Sequence, residues 1–236
     1  PRDEQGRPSP KPPLHPWRAP PAVAAMGPHH PVAQRWPDLA AAIATGLAMV
    51  LAGRRWWPRS GGQVGAVAAT IWITSLTTMK LAAIARPDML LVAGTALAWI
   101  AFTDMLVRPA TSTGDPGDRR AWLVAAGIAV GGLAKGPAVL PLLPGLWLAA
   151  RWVGPGGRGA EALAAVLRPG VLAAAFLPPL AWLSAAAASD PAWVLGHLLG
   201  AEVLDRITGR LPDVGGDGPG LLLRTLAHMP AYLGLR

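Results

Sequence analysis

Four charged side chains stand out in this sequence because each interrupts or borders an apolar or proline-rich stretch. They are Lys11, Asp88, Lys135 and Arg206. Three are cations, which would suit a phosphate ligand, and one is a carboxylate, which could act as an acid or base near a bond that breaks. That chemistry requires the fold to bring all four side chains to one face.

Two of the four lie beside prolines, and each also has a plain structural explanation. Lys11 begins Lys-Pro-Pro-Leu, in which two prolines stiffen the backbone and present the ammonium from an extended segment. The alternative is a solvated proline-rich loop. Asp88 follows Arg86 and Pro87 at the edge of an apolar run, where a carboxylate is costly unless it is hydrated, paired or functional. It could equally cap a helix and pair with Arg86.

The other two lie farther along the chain. Lys135 is the one charged residue between positions 121 and 150, at a Gly-Pro turn, where a lysine either extends its ammonium to the membrane surface or binds an anion. Glu202 and Arg206 are four residues apart, so on a helix they share a face. An ordinary ion pair would explain those two equally well.

Long uncharged stretches rich in Ala, Leu, Val and Trp determine the fold class. They cover residues 39–53, 60–79, 89–103, 121–134, 136–150 and 169–189. A membrane-spanning helix needs about 20 mostly apolar residues, which these runs reach alone or with their flanks. Hydrophobic residues make up 52% of the chain and charged residues 14%, which argues against a soluble globular domain. The sequence therefore predicts an all-α, polytopic transmembrane helical bundle.

The arginines between these runs predict the topology. Loops 54–59, 108–120 and 151–168 carry nine of the 21 Lys and Arg residues, and threading the helices up and down puts all three loops on one side. By the positive-inside rule that side is the cytoplasm. The opposite, extracytoplasmic side receives segment 1–37, the turns at 86–88 and 135–137, and segment 190–222. All four candidate residues then face outward.

This topology divides the chain into four parts. Residues 1–37 form an extracytoplasmic loop, residues 38–189 about six transmembrane helices, residues 190–220 a second outer loop with an interfacial helix, and residues 221–236 the start of a further span. We expect Pro178-Pro179 to interrupt the helix over 169–189. Asp104, at the cytoplasmic end of its helix, should extend to the surface or pair with Arg108.

Composition also excludes several kinds of site. The chain has no Cys, so it has no disulfides and no thiolate-based metal site. The net charge of +8 would fit a nucleic-acid binder, but no basic stripe interleaves with aromatic residues. Orientation and anionic lipid explain the basic loops instead. We expect a membrane and no nucleic acid as partners.

Taken together, the candidate motifs resemble one enzyme family. The segment 1–17 with its Lys-Pro-Pro-Leu, the turn Ala-Arg-Pro-Asp-Met-Leu at 85–90, the turn Gly-Leu-Ala-Lys-Gly-Pro at 132–137, and the Glu-x-x-x-Arg at 202–206 occur in the family's order and spacing. They resemble the aminoarabinose transferase and protein O-mannosyltransferase group, which are polyprenyl-phosphate-sugar-dependent glycosyltransferases with a GT-C fold.

The resemblance implies an inverting transferase at the outer face of a bacterial inner membrane, with a lipid, protein or glycan acceptor. Lys11, Lys135 and Arg206 would hold the donor phosphate, and Asp88 would be one of two acidic residues at the reaction centre. Supporting roles would fall to Glu202 and Arg86, which complete the family's Glu-x-x-x-Arg and Arg-x-x-Asp patterns.

The chain also departs from the family. The family's main catalytic acid, in an Asp-Glu motif after the first membrane helix, would lie upstream of residue 1, so we expect a central fragment that is inactive as given. Pro10 and Pro16 replace an acidic residue and a tyrosine of the motif, so the residues do not support a divalent metal. The rival interpretations are a secondary transporter and a non-catalytic membrane subunit. The sugar and the acceptor are left open.

Overall fold

In the computed structural model, the described residues are 22, 24–27, 30–83, 87–108, 119–153, 157–194 and 196. They form helices and turns, with no strand among them, so the all-α prediction is confirmed for this part of the chain. The helices are α1 (Pro31–Trp56), α2 (Gly61–Thr74), α3 (Leu76–Ala83), α4 (Asp88–Val107), α5 (Arg119–Lys135), α6 (Leu142–Val153), α7 (Arg158–Val166) and α8 (Pro169–Ser189). A 3₁₀ turn, Gly136–Val139, follows α5, and a short helical turn, Pro191–Trp193, follows α8.

Four of the described helices are long and apolar enough to cross a membrane. They cover Arg35–Trp56, Asp88–Val107, Arg119–Val139 and Pro169–Ser189. Helices α2 and α3 pass the same test as a pair, although they are bent by 59° at the break between them, and would make a fifth span. This architecture is consistent with a multi-pass membrane protein.

Among the described residues there are four candidate spans, or five with the bent pair, rather than the six or so expected. Helix α6 has only 12 residues, about 18 Å at 1.5 Å per residue, and so falls short of the roughly 30 Å hydrocarbon core. The helix expected from the uncharged run 60–79 breaks at Ser75. The Ser75 hydroxyl accepts a hydrogen bond from the Thr78 amide and lies 3.0 Å from the Trp72 carbonyl oxygen. Such local side-chain bonds compete with the helical backbone pattern, which explains the bend.

Prolines do not end the helices where we expected. Helix α1 begins at Pro31, earlier than the predicted position 38, and runs through Pro37. Helix α8 continues through Pro178 and Pro179, where we predicted an interruption. Each proline removes one backbone donor but keeps a φ angle compatible with a helix, so a long apolar helix can contain it at a local cost.

The predicted basic loop 151–168 contains a helix. The nine-residue α7 buries Ala162, Ala165 and Val166 on one face. Their spacing of three and one residues is that of an amphipathic helix. The prediction of a loop used only the arginines of this segment and overlooked that spacing. Helix α7 packs against α6, and it contributes to the same core as α4 and α5.

The main core lies where α4 and α5 pack against each other at backbone contact. Phe102 of α4 and Val124 of α5 are fully buried in it. The crossing depends on glycine, because a Cβ atom added to Gly94 would lie 2.6 Å from the carbonyl oxygen of Gly127. A side chain at Gly94 would force the two helices apart, so this glycine sets how closely they approach.

A smaller core joins the first half of α1 to the beginning of α4 and the end of α5. Its fully buried members include Met89 of α4 and Ala134 of α5, and Ala41 and Ala42 of α1 contact them. Trp72 of α2 donates an indole hydrogen bond of 3.1 Å to the carbonyl of Ala42. This packing fixes the ends of α4 and α5 that carry two of the predicted site residues.

Candidate functional site

Lys135 and Asp88 form an ion pair between the last residue of α5 and the first residue of α4. The ammonium donates a hydrogen bond to Oδ1 of the carboxylate. Their neighbours Ala134 and Met89 are fully buried in the smaller core, which holds both backbones in place. The side chains themselves stay 36% and 20% exposed, so a ligand can reach the pair.

The helix ends favour these charges. The positive end of a helix dipole lies at its N-terminus, where it stabilises Asp88, and the negative end lies at its C-terminus, where it stabilises Lys135. After Lys135 the chain turns sharply, because Gly136 adopts a φ angle of +58° and Pro137 is the second residue of the 3₁₀ turn. The lysine is therefore presented at the tip of a helix.

Asp88 does not cap helix α4, as the alternative explanation would require. Pro87 occupies the cap position of α4, and no side chain makes a capping hydrogen bond there. The structure instead gives the carboxylate a cationic partner from another helix. Lys11, Arg86, Glu202 and Arg206 lie outside the described residues, so the structure brings together two of the six predicted site residues.

The opposite end of the bundle holds a second cluster, centred on Asp104. This carboxylate is 4% exposed. Arg55 of α1 donates two hydrogen bonds to it, from Nε at 2.8 Å and from Nη2 at 3.0 Å, and the indole of Trp56 donates a third at 3.1 Å. The expectation that Asp104 extends to the surface or pairs with Arg108 was wrong, because burial leaves it facing α1 instead.

Hydrogen bonds from further arginines link the ends of α1, α4 and α5 at this cluster. Arg120 donates to the backbone carbonyls of Asp104 at 3.1 Å and Arg108 at 2.9 Å, and Arg108 donates to the carbonyl of Arg55 at 3.2 Å. Arg158, from the third basic segment, donates to the Val107 carbonyl at 3.3 Å. We call the cluster of Arg55, Asp104, Arg108 and Arg120 the basic end. All three arginine-rich segments contribute to or contact this end.

Sequence reasoning missed Asp38, which is fully buried on α1. Arg55 contacts Asp104 near one end of the two helices, and Ala41 and Ala42 pack in one cluster with Met89 near the other, so α1 and α4 run parallel. Asp38 precedes Arg55 by 17 positions and Asp88 precedes Asp104 by 16, so at 1.5 Å per residue each lies about 24–26 Å from the basic end. A second carboxylate therefore lies at the level of the Asp88–Lys135 pair. An acidic residue one position after Pro37, at the start of an apolar run, was the available signal.

No family model, curated protein or solved structure matches this chain. The chemistry of the site therefore follows from its residues. An ammonium has three N–H donors, and one of them engages Asp88, which leaves two for an anion. The carboxylate can accept a proton. Among the described residues, no group of three or more His, Cys, Asp or Glu side chains could hold a metal ion.

Proposed function

We propose that this chain belongs to a membrane glycosyltransferase with a GT-C-like fold, which transfers a sugar from a polyprenyl-phosphate donor at the extracytoplasmic face of a bacterial inner membrane. The observation that supports this most strongly is the Asp88–Lys135 ion pair. It places an anion-binding cation beside a carboxylate at the end of an apolar bundle. The motifs that resemble the glycosyltransferase group include both residues.

In this proposal Lys135 binds the donor phosphate with its two remaining N–H groups. The hydroxyl of the acceptor attacks the anomeric carbon as the bond from that carbon to the phosphate oxygen breaks. Asp88 accepts the hydroxyl proton, and the polyprenyl phosphate leaves with the bonding electron pair, held by the ammonium. Attack from the side opposite the phosphate inverts the anomeric configuration. Lys11 and Arg206 would add donors to the phosphate.

The orientation of the bundle supports an outer site. The arginine-rich segments meet at the basic end, and the Asp88–Lys135 pair lies at the other end of α4 and α5. If the basic end faces the cytoplasm, as the positive-inside rule predicts, the pair faces outward. Lipid-linked sugars presented on that side would meet the ammonium at the membrane surface.

The test is sugar transfer by the full-length gene product in proteoliposomes, with a radiolabelled polyprenyl-phosphate sugar. Asp88→Asn keeps the shape of the side chain and removes its charge, so kcat should fall by about 10²–10⁴-fold. Glu161→Gln, an equivalent change at an exposed site on α7, should leave kcat unchanged. Normal turnover by Asp88→Asn would remove this residue from the reaction.

A secondary transporter is the second candidate, and the break between α2 and α3 is the observation that favours it. Discontinuous helices line substrate sites in many transporters, and this pair bends by 59°. The same proteoliposomes separate the two functions. Uptake of a labelled solute without sugar transfer would favour the transporter, whereas transfer to an acceptor without solute uptake would favour the enzyme.

A further inference from the structure

The guanidinium of Arg55 is held rigidly and yet remains half exposed. Its Nε and Nη2 atoms are fixed by the buried carboxylate of Asp104, while 53% of its side chain is accessible. Within the described part of the chain, no group accepts a hydrogen bond from its Nη1 atom. A guanidinium oriented in this way can offer its outer edge to an anion with little loss of side-chain entropy.

The described residues of the basic end are mainly cationic. Arg55, Arg108 and Arg120 place three guanidinium groups near the carboxylate of Asp104. These groups lie where the candidate spans α1, α4 and α5 end or begin, which is the level of lipid headgroups. The exposed outer edge of the Arg55 guanidinium favours an anionic ligand over a zwitterionic one.

An apolar face of α1 leads directly to Arg55. Ile43, Leu47 and Leu51 recur every four residues with exposures of 57%, 59% and 62%, and Arg55 continues the spacing. Leu47 lies about 12 Å from Arg55 along the helix axis, a distance that part of an acyl chain can cover. Trp57, half exposed two residues after Arg55 at the end of α1, is an aromatic residue of the kind that is common at membrane interfaces.

We propose that the basic end is a specific site for one anionic phospholipid. The lipid phosphate binds the outer edge of Arg55 with Arg108 nearby, and an acyl chain lies along Leu51 and Leu47. The exposed apolar face of Ile43, Leu47 and Leu51 distinguishes a lipid from a soluble phosphate, because free phosphate has no acyl chain to contact these side chains. The site lies at the far end of α4 from Asp88 and does not depend on the proposed sugar transfer.

Native mass spectrometry of the 236-residue chain, released from detergent after titration with single lipids, tests this site. Phosphatidylglycerol should bind at least about tenfold more tightly than phosphatidylcholine, with a first site that saturates at one lipid. Arg55→Gln should lower the affinity for phosphatidylglycerol by about tenfold. The matched control Arg59→Gln removes an exposed arginine of the same turn and should change it by less than about twofold.

A second variant keeps the test valid if Arg55→Gln does not fold, because Arg55 also donates two hydrogen bonds to the buried Asp104. Arg108→Gln leaves the Arg55–Asp104 contacts intact and should reduce phosphatidylglycerol binding by a smaller factor. Circular dichroism and gel filtration verify the fold of each variant. The proposal would be overturned if the wild-type chain bound the two lipids equally. It would also be overturned if folded Arg55→Gln kept the wild-type preference for phosphatidylglycerol. If Arg55→Gln does not fold, the same preference in Arg108→Gln would overturn it. Displacement of phosphatidylglycerol by equimolar inorganic phosphate would reduce the site to a general anion site and overturn its assignment to a lipid.

Discussion

Lys135 donates a hydrogen bond to Asp88, and this ion pair closes the open end of the helical hairpin formed by α4 and α5. At the other end of the same hairpin, Arg120 of α5 contacts Asp104 of α4. The two helices are thus joined by charge at both ends and by apolar side chains and glycine between them. At the basic end the buried carboxylate of Asp104 is held by arginines, whereas both side chains of the Asp88–Lys135 pair are partly exposed.

The crossing of α4 and α5 predicts opposite outcomes for two glycine substitutions. Gly94→Ala places a methyl group 2.6 Å from the Gly127 carbonyl oxygen, so it should destabilise the fold by about 1–3 kcal/mol. Gly62→Ala on α2 meets nothing closer than 3.8 Å, so it should be neutral or stabilise the helix by up to about 1 kcal/mol. Thermal unfolding in detergent, followed by circular dichroism, measures both variants. Equal stability of the two variants would show that α4 and α5 do not pack at backbone contact.

The buried carboxylate at the basic end should matter for stability. Asp104→Asn removes the charge that accepts two hydrogen bonds from Arg55 and one from Trp56. We expect a loss of about 1–3 kcal/mol, since charge-assisted bonds to a buried group are replaced by weaker ones. The same detergent unfolding assay applies. Glu161→Gln, which neutralises an exposed carboxylate, is the control and should lie within about 0.5 kcal/mol of wild type. An unaffected Asp104→Asn would mean that the cluster contributes nothing to stability.

Single cysteines can report the orientation of the bundle, because the chain contains none. Ser60→Cys lies in the exposed turn that follows Arg59, and Ala138→Cys lies in the exposed 3₁₀ turn after Lys135. In intact cells, a membrane-impermeant maleimide should label Ala138→Cys and leave Ser60→Cys unlabelled, because the positive-inside rule places the arginine-rich turn in the cytoplasm. The reverse pattern would place the Asp88–Lys135 pair inside the cell and contradict the outer-face proposal.

Much of the architecture follows from the sequence because it depends on patterns along one helix. Uncharged runs predict the spans, and alternate arginine-rich loops predict that those loops share an end. The interruptions were harder to predict. The Ser75 break depends on which of two competing hydrogen-bond patterns the hydroxyl adopts, and the uninterrupted path through Pro178 and Pro179 depends on the length of the surrounding apolar helix.

Contacts between helices were the least predictable part of the site. Lys135 and Asp88 were recognised as unusual, but their pairing depends on how α4 and α5 cross, which the glycines at 94 and 127 determine. The partner of Asp104 was predicted from proximity in sequence, whereas α1 supplies Arg55 from 49 positions away. Asp38 was overlooked because its burial is a property of packing, and a single carboxylate next to a proline resembles an ordinary helix start.

Binding of a polyprenyl phosphate to the chain is the most direct test of the proposed donor site. In detergent, Lys135→Ala should weaken binding by about 1.5–3 kcal/mol, roughly 10- to 150-fold in Kd, because a charge-assisted contact to the phosphate is lost. Lys135→Arg should recover part of that loss, since a guanidinium keeps the charge but differs in shape. Lys80→Ala, which removes an exposed lysine from α3, should bind as wild type does. Equal affinity of wild type and Lys135→Ala would contradict the assignment of the Asp88–Lys135 pair as a phosphate site.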